Sequence, residues 1–301
     1  MIETARTTKP IVGDLAGLVP SFRRHLRAAN RSERTIEVYV SSAEAFAHFL
    51  VEQGMPSVAA DVHREHVEAY IQHVLDRWKP ATASVRYRSL QAFWKWALDE
   101  GEITANPMAR MTPPMIPEEP ARVLTDEELR AMLATCDDTL EGRRDEAIIR
   151  VFIDSGARLG EVAGLRTADV DLDGGVVRVL GKGRRQRLVG IGARTAKAID
   201  RYLRRRGSSD GLWVGKKGVM TPSGIRQMIW RRSTTAGIGR VHPHVFRHTA
   251  AHSWLAAGGS ETGLMRKAGW RSRAMLSRYA SSTAEARALE ESHRLGLGDR
   301  L

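Results

Sequence analysis

The sequence predicts a mainly α-helical protein with a small β-sheet, built as an N-terminal helical domain followed by a mixed α/β domain. Three observations predict it. Amphipathic helical patterns fill the first third of the chain, a proline-rich stretch then breaks all periodicity, and helical patterns resume around one pair of short β-branched runs. At 301 residues the chain is long enough for two separate cores.

From about Gly13 to Ala29, Leu15, Leu18, Phe22 and Leu26 recur at helical spacing. Ser32 is placed to cap a second helix, whose stripe of Ile36, Tyr39, Val40, Ala43, Phe46 and Leu50 stops at Gly54. Asp61 is the expected cap of a third helix carrying Val67, Tyr70, Ile71, Val74 and Trp78. A fourth begins near Thr82 and shows Val85, Leu90, Phe93, Trp94, Ala97 and Leu98 before Gly101. These patterns read as a helical bundle over residues 1–111. Arg31 and Arg34 head the second helix, and Arg86 and Arg88 the fourth, where basic side chains can meet nucleic-acid phosphates. Taken singly, each of them reads first as part of a solvated surface. Between Met111 and Ala121 the run TPPMIPEEP holds four prolines, a semi-rigid connector that places the linker at 112–121 and the second domain at 122–301.

The second domain opens on a capping box, Thr125 to Glu128, ahead of Leu129, Met132 and Leu133. An apolar helix follows from Asp145 to Ser155. Gly156 then permits a sharp turn, and Arg158 starts a short helix with Val162 and Leu165 facing inward. Glu161 is spaced to hold a nearby basic side chain. Val176–Leu180 and Gln186–Ile191 read as two strands joined through Gly181-Lys182-Gly183, with Lys182 at the tip and Arg184 and Arg185 beside it. Helices are expected from about Arg194 to Arg206, from Thr221 to Thr235, over Val241–Leu255, after Gly258-Gly259, from Arg273 to Ala280, and from Ala284 to His293.

Charge narrows the partners. The formal net charge is +12, and residues 114–301 hold 33 Lys+Arg against 22 Asp+Glu while residues 1–113 hold 14 against 13. A polyanion suits such a second half, and nucleic acid leads. The single cysteine, Cys136, leaves no disulfide framework and no cysteine-based zinc site. No apolar run approaches membrane-spanning length, so the expectation is a soluble, cytoplasmic protein with no membrane partner. No GxxxxGK[ST] element is present to bind a nucleotide.

Within Val241–Leu255, entered through Pro243, the spacing puts His244 and Arg247 on one helical face. A guanidinium binds phosphate oxygens in a fork and an imidazole moves a proton near neutral pH, so the pair suits a phosphate. His244, His248 and His252 also line one face, but no carboxylate or cysteine nearby completes a metal site, and neither metal nor other cofactor is expected.

Taken in order, GARLGEVAGL, the GKG hairpin, HPHVFRHT and AGWRSRAMLSRYA resemble the catalytic domain of the tyrosine recombinases, the phage integrase family. The likeness runs from about Thr125 onward, and the first domain is more loosely similar to the family's core-site-binding domain. Trp270 stands nine residues before Tyr279, at a position often His in this family, where Trp also occurs. The resemblance implies that Tyr279 attacks a DNA phosphate to form a 3′-phosphotyrosyl link and a free 5′-hydroxyl. Arg158 and Arg247 would clamp the non-bridging oxygens, Lys182 would protonate the leaving oxygen, and His244 would move the tyrosine proton. Trp270 would pack the site and offer its indole N–H to the phosphate, with Glu161 and His248 supporting from behind.

It further implies double-stranded core sites with inverted repeats and a homotetramer on DNA, assembled through the C-terminal segment with its apolar Ala286, Leu289 and Leu295. About ten residues precede the first expected helix, too few for an arm-site-binding domain, so the simple two-domain type is expected. Integration, excision and dimer resolution all fit. Two other functions share part of this pattern: a non-catalytic sequence-specific DNA binder, and a type IB topoisomerase-like relaxation of DNA.

Overall fold

A computed structural model describes residues 14–117, 121–181, 185–270, 272–273, 276, 288–289 and 292–296. The chain divides into two compact units, Met1–Glu119 and Pro120–Leu301.

The first unit is four helices, α1 (Leu15–Ala28), α2 (Glu33–Glu52), α3 (Arg64–Arg77) and α4 (Pro80–Asp99). Ser32 caps α2 as its position suggests, its hydroxyl accepting the Thr35 N–H at 3.2 Å. The core is aromatic: Phe22 meets Phe93 edge-on at 5.3 Å between ring centroids, and Phe46 meets Tyr70 at 5.1 Å. After α4, Tyr87 donates its hydroxyl to Met111 O at 2.6 Å and pins the end of the bundle, and residues 111–117 carry neither helix nor strand.

Three expectations for this unit need correction. Asp61 closes a short 3-10 turn (Ala59–Asp61), and the cap of α3 is His63, whose N–H donates to His66 Nδ1 at 2.9 Å. Trp78 lies beyond α3 in extended backbone and is exposed, because Pro80 forces Lys79 out of the helical region and starts α4 itself. In α4 the buried stripe runs through Ala83, Tyr87, Leu90, Trp94 and Ala97. Val85, two residues from Tyr87 and so roughly 200° around the helix, faces out, and so does Leu98.

The second unit packs around α6 (Leu140–Ser155), whose Ile148, Ile149 and Phe152 are fully buried. Before it, α5 (Asp126–Ala134) opens on the expected capping box, with Thr125 N donating to Glu128 Oε2 at 3.0 Å and Glu128 N to Thr125 Oγ1 at 3.2 Å. α6 begins earlier than its apolar pattern suggests, because Thr139 caps it by accepting the Gly142 N–H. After α7 (Leu159–Ala163) come β1 (Val170–Asp171), β2 (Val176–Leu180) and β3 (Gln186–Gly190), an antiparallel sheet in which Val179 pairs with Arg187 and Leu180 with Gln186. Val177, Val179 and Val189 point into the core.

α8 (Ala193–Leu203) then packs on α6 and ends before the expected Arg206. β4 (Val214–Gly215) and β5 (Gly218–Val219) form a two-stranded ribbon, too short to leave a periodic signal in the sequence. α9 (Pro222–Thr235) is capped by Thr221, and α10 (Pro243–Ala256) lies across α6 with Phe246 against Phe152. Last among the helices bounded here is α11 (Glu261–Ala268), capped by Ser260. Its neighbours Ala251, Leu255, Trp270 and Leu276 form a cluster of their own.

One buried ion cluster ties α6 to α9. Asp145 is fully buried and accepts from Arg144 Nη2 at 2.7 Å and Arg232 Nε at 2.9 Å, while Arg144 Nη1 reaches Val214 O at 3.0 Å. Removing the carboxylate leaves two inward guanidinium groups without their counter-charge. Asp145→Ala is therefore expected to lower stability by about 3–5 kcal/mol in urea unfolding of the full chain. A loss under about 1 kcal/mol would show that the pair merely offsets its own desolvation.

Candidate active site

The site is assembled where α6 ends. Gly156 terminates that helix in the left-handed region at φ 55°, with its N–H on Phe152 O, and a Cβ there would stand 3.2 Å from Ala250 of α10. This close approach brings the turn before α7 against α10. Arg158 follows in extended backbone at the start of α7, its side chain 45% exposed.

Arg247 reaches the same place from α10. It is 2% exposed, and its guanidinium donates to Gly156 O and to Ala268 O, both at 2.8 Å. These are the carbonyl ends of α6 and α11, where each helix carries its partial negative charge, so two helix termini help to hold one buried cation. The Trp270 ring lies 5.2 Å from the Arg247 guanidinium carbon and completes the cradle. Trp270 is itself buried, with Leu276 in the same cluster.

His244 sits one turn before His248 on α10, their rings edge to face at 4.8 Å. Crowding of its ring by the protein, then the charges of Arg247 and Arg158, hold the His244 pKa below its ordinary value. The imidazole is thus neutral near pH 7 and ready to accept a proton. His248, deeper along the helix, is pushed down to about 4 by burial first and then by His244 and Arg247. Among the described residues, no group of three His, Cys, Asp or Glu side chains is placed to hold a metal ion.

Glu161 is the counter-charge. Its side chain is 5% exposed and accepts from Arg158 N at 2.8 Å and from Arg158 Nη1 at 3.0 Å. Burial opposes its ionisation, but hydrogen bonds from Arg187 and Arg158 and the charge of Arg187 outweigh that and hold the carboxyl below its ordinary pKa. Arg187 was not singled out in the sequence. The available signal was strand alternation, since it shares a face with buried Val189 and an inward-facing Arg needs a partner. Lys267, at the end of α11, is half-buried with its ammonium 4.5 Å from the Trp254 ring centroid.

Arg158, Glu161, His244, His248, Arg247 and Trp270 are thus gathered around one locus. Lys182, Arg184 and Tyr279 lie outside the described residues. Gly181, just before Lys182, is at the site: a Cβ on it would stand 3.4 Å from Glu161 Oε1. Arg185 is exposed at the hairpin. In the first unit, Arg31 is exposed between α1 and α2, and Arg34 is exposed and paired with Glu37 at 3.2 Å. Arg86 is half-buried and donates to Ser42 Oγ at 3.2 Å, while Arg88 donates to Ser84 O at 3.2 Å.

Residues 122–286 match the phage integrase family, and residues 18–102 match the phage integrase N-terminal SAM-like domain. The chain belongs to the phage integrase family. The tyrosine recombinase XerC of Xanthomonas campestris pv. campestris (strain B100) is 30% identical over 271 residues, 87% of this chain and 83% of the relative. The crystal structure of XerA recombinase is 26% identical with a TM-score of 0.52, covering 92% of this chain and 99% of that one. A lambda integrase tetramer bound to a Holliday junction shares the fold with a TM-score of 0.70 at 16% identity, covering 90% of this chain and 83% of that one. As a family member with these relatives, the protein is a site-specific tyrosine recombinase.

The histidines give this site a pH signature. The folded protein keeps His248 neutral down to about pH 4, whereas an unfolded imidazole takes its proton near 6.5. Between those values the unfolded state binds more protons, so folding stability falls as pH drops through the window. His248→Gln should flatten that loss in thermal melts taken across it. A melt profile identical to that of the parent protein would mean that His248 titrates normally.

Proposed function

We propose that this chain cuts and rejoins double-stranded DNA at short core sites with inverted repeats, through a 3′-phosphotyrosyl intermediate on Tyr279. The observation that carries the reading is the convergence of Arg158, His244 and Arg247, from the start of α7 and the first turns of α10, on one charged locus. Two guanidinium groups there clamp the non-bridging oxygens and steady the charge of the pentacoordinate state. The phenol oxygen of Tyr279 attacks phosphorus and the bond to O5′ breaks. Neutral His244 takes the phenol proton, and Lys182 gives one to the departing O5′. A 5′-hydroxyl from another strand reverses the steps to rejoin, so the phosphodiester energy is conserved and no ATP is consumed.

The assignment of Tyr279 rests on more than motif order. The sequence holds five tyrosines, and Tyr39, Tyr70 and Tyr87 belong to the first domain. Tyr202 is fully buried, its oxygen accepting Val214 N–H at 2.9 Å, and burial raises its pKa. It has no path to a DNA phosphate. Leu276, three residues before Tyr279 in the sequence, packs in the cluster that holds Trp270, whose ring lies over Arg247.

The helical domain 1–111 and the catalytic domain 122–301 both grip the duplex, with Arg31, Arg34, Arg86, Arg88, Arg184 and Arg185 on phosphates. The surplus of 33 basic over 22 acidic residues after residue 113 supplies the general attraction. Four copies act together, and exposed Leu289 and Leu295 suit a C-terminal segment that packs on a neighbouring subunit. The reaction takes place in the cytoplasm, and among the described residues no helix is long and apolar enough to cross a membrane.

The experiment is a suicide substrate. Duplexes enriched from random DNA by the full chain are resynthesised with a nick beside the cleavage point, so that the cut strand diffuses away. A covalent protein–DNA complex should form, and Tyr279→Phe should bind with unchanged affinity yet form none. A stable noncovalent complex with no adduct from the parent protein would instead identify a DNA binder. Separately, truncation after Ser282 is expected to keep DNA binding and lose pairing of two sites. Recombination unchanged by that truncation would overturn the assembly.

A further inference from the structure

Three segments of the second unit meet at one side chain that the reaction scheme above does not use. Arg187, on β3, donates Nη1 to Glu161 Oε1 at 3.1 Å and Nη2 to Glu161 Oε2 at 2.7 Å, fork on fork. Its Nε donates to Lys267 O at 2.9 Å, one residue before the end of α11. Two glycines make room for it. A Cβ on Gly181 or on Gly269 would each stand 3.4 Å from Arg187 Nη1. Gly181 precedes Lys182, Gly269 precedes Trp270, and Glu161 holds Arg158. A single guanidinium therefore touches every segment that carries Arg158, Lys182 and Trp270.

The electrostatics of Glu161 explain what this contact does. A buried carboxylate needs compensating cations, and Glu161 has two of unequal kind. Arg187 is only 13% exposed and bonds both carboxylate oxygens, whereas Arg158 is 45% exposed and contributes one side-chain bond. Arg187 carries most of the compensation. The fork of Arg158 is then left facing solvent, where a phosphate arrives.

We propose that Arg187 is a positioning residue for the phosphoryl transfer, saturating Glu161 so that Arg158 stays singly tethered and turned toward the scissile phosphate. The bond to Lys267 O fixes Arg187 itself, so the hairpin and the end of α11 keep one spacing. Without Arg187, the buried charge of Glu161 draws Arg158 inward into a bidentate pair, and the phosphate loses one of its two clamps. This inference rests on the reading of Arg158 as a phosphate clamp.

Single-turnover formation of the covalent complex on the nicked duplexes, read beside the affinity for the same duplexes, tests it on the full chain well below its melting temperature. Arg187→Gln should slow adduct formation by about a hundredfold, the usual cost of a misplaced catalytic group, while affinity changes by less than about threefold. Because both residues act along one route, Glu161→Gln/Arg187→Gln should be no slower than the slower single variant. Adduct formation by Arg187→Gln at the parental rate, or losses that multiply in the double variant, would overturn the proposal. If Arg187→Gln fails to fold, Arg187→Lys keeps the charge without the fork and should show the same split between rate and affinity; a parental rate there is equally fatal. Failure of the underlying reading looks different, since the parent protein would then form no adduct at all.

Discussion

A guanidinium buried between the carbonyl ends of two helices is the constraint on which the second domain depends. Arg247 would be costly to take out of water alone. The ends of α6 and α11 offer it oriented carbonyls, and the face of Trp270 closes over it. The same bonds fix where those helices stop relative to α10. A requirement of charge solvation thus becomes a requirement of geometry, and the site inherits its shape from it.

Around that fixed cation the remaining charges sort by burial. Glu161 is the inward anion, held ionised by Arg187 and Arg158 in spite of its burial. Burial first, and then the same positive field, lowers the pKa of His244 and His248 and favours their neutral form. The locus is left positive, with a proton acceptor inside it, before any substrate arrives. Preorganisation of this kind spares the reorganisation that water would need as charge develops on a phosphate.

The first domain follows another logic. Its charge is nearly balanced, and its stability comes from interlocked rings: Phe22 on Phe93, Phe46 on Tyr70. Its arginines Arg34 and Arg88 lie on short local bonds, to Glu37 and to Ser84. Arg86, bonded to Ser42 of a different helix, also braces α4 against α2.

Local signals carried much of this. Ser32, Thr125 and Pro243 marked helix starts because caps and prolines act within one turn, and the boxes around Arg158, His244 and Arg247 carried the family. Where a neighbour decided the outcome, sequence was silent or misleading: Pro80 cut Trp78 from α3, and packing turned Val85 outward. Arg187 is the sharpest case. Its residue type and strand position are local facts, but its partners come from α7 and α11, and only the packed fold brings a carboxylate and a helix carbonyl to one guanidinium. Sequence alone determined which side chains could do the chemistry, because reactivity belongs to the residue; the tertiary structure decided which charges meet, because that depends on distance across elements the chain does not join in order.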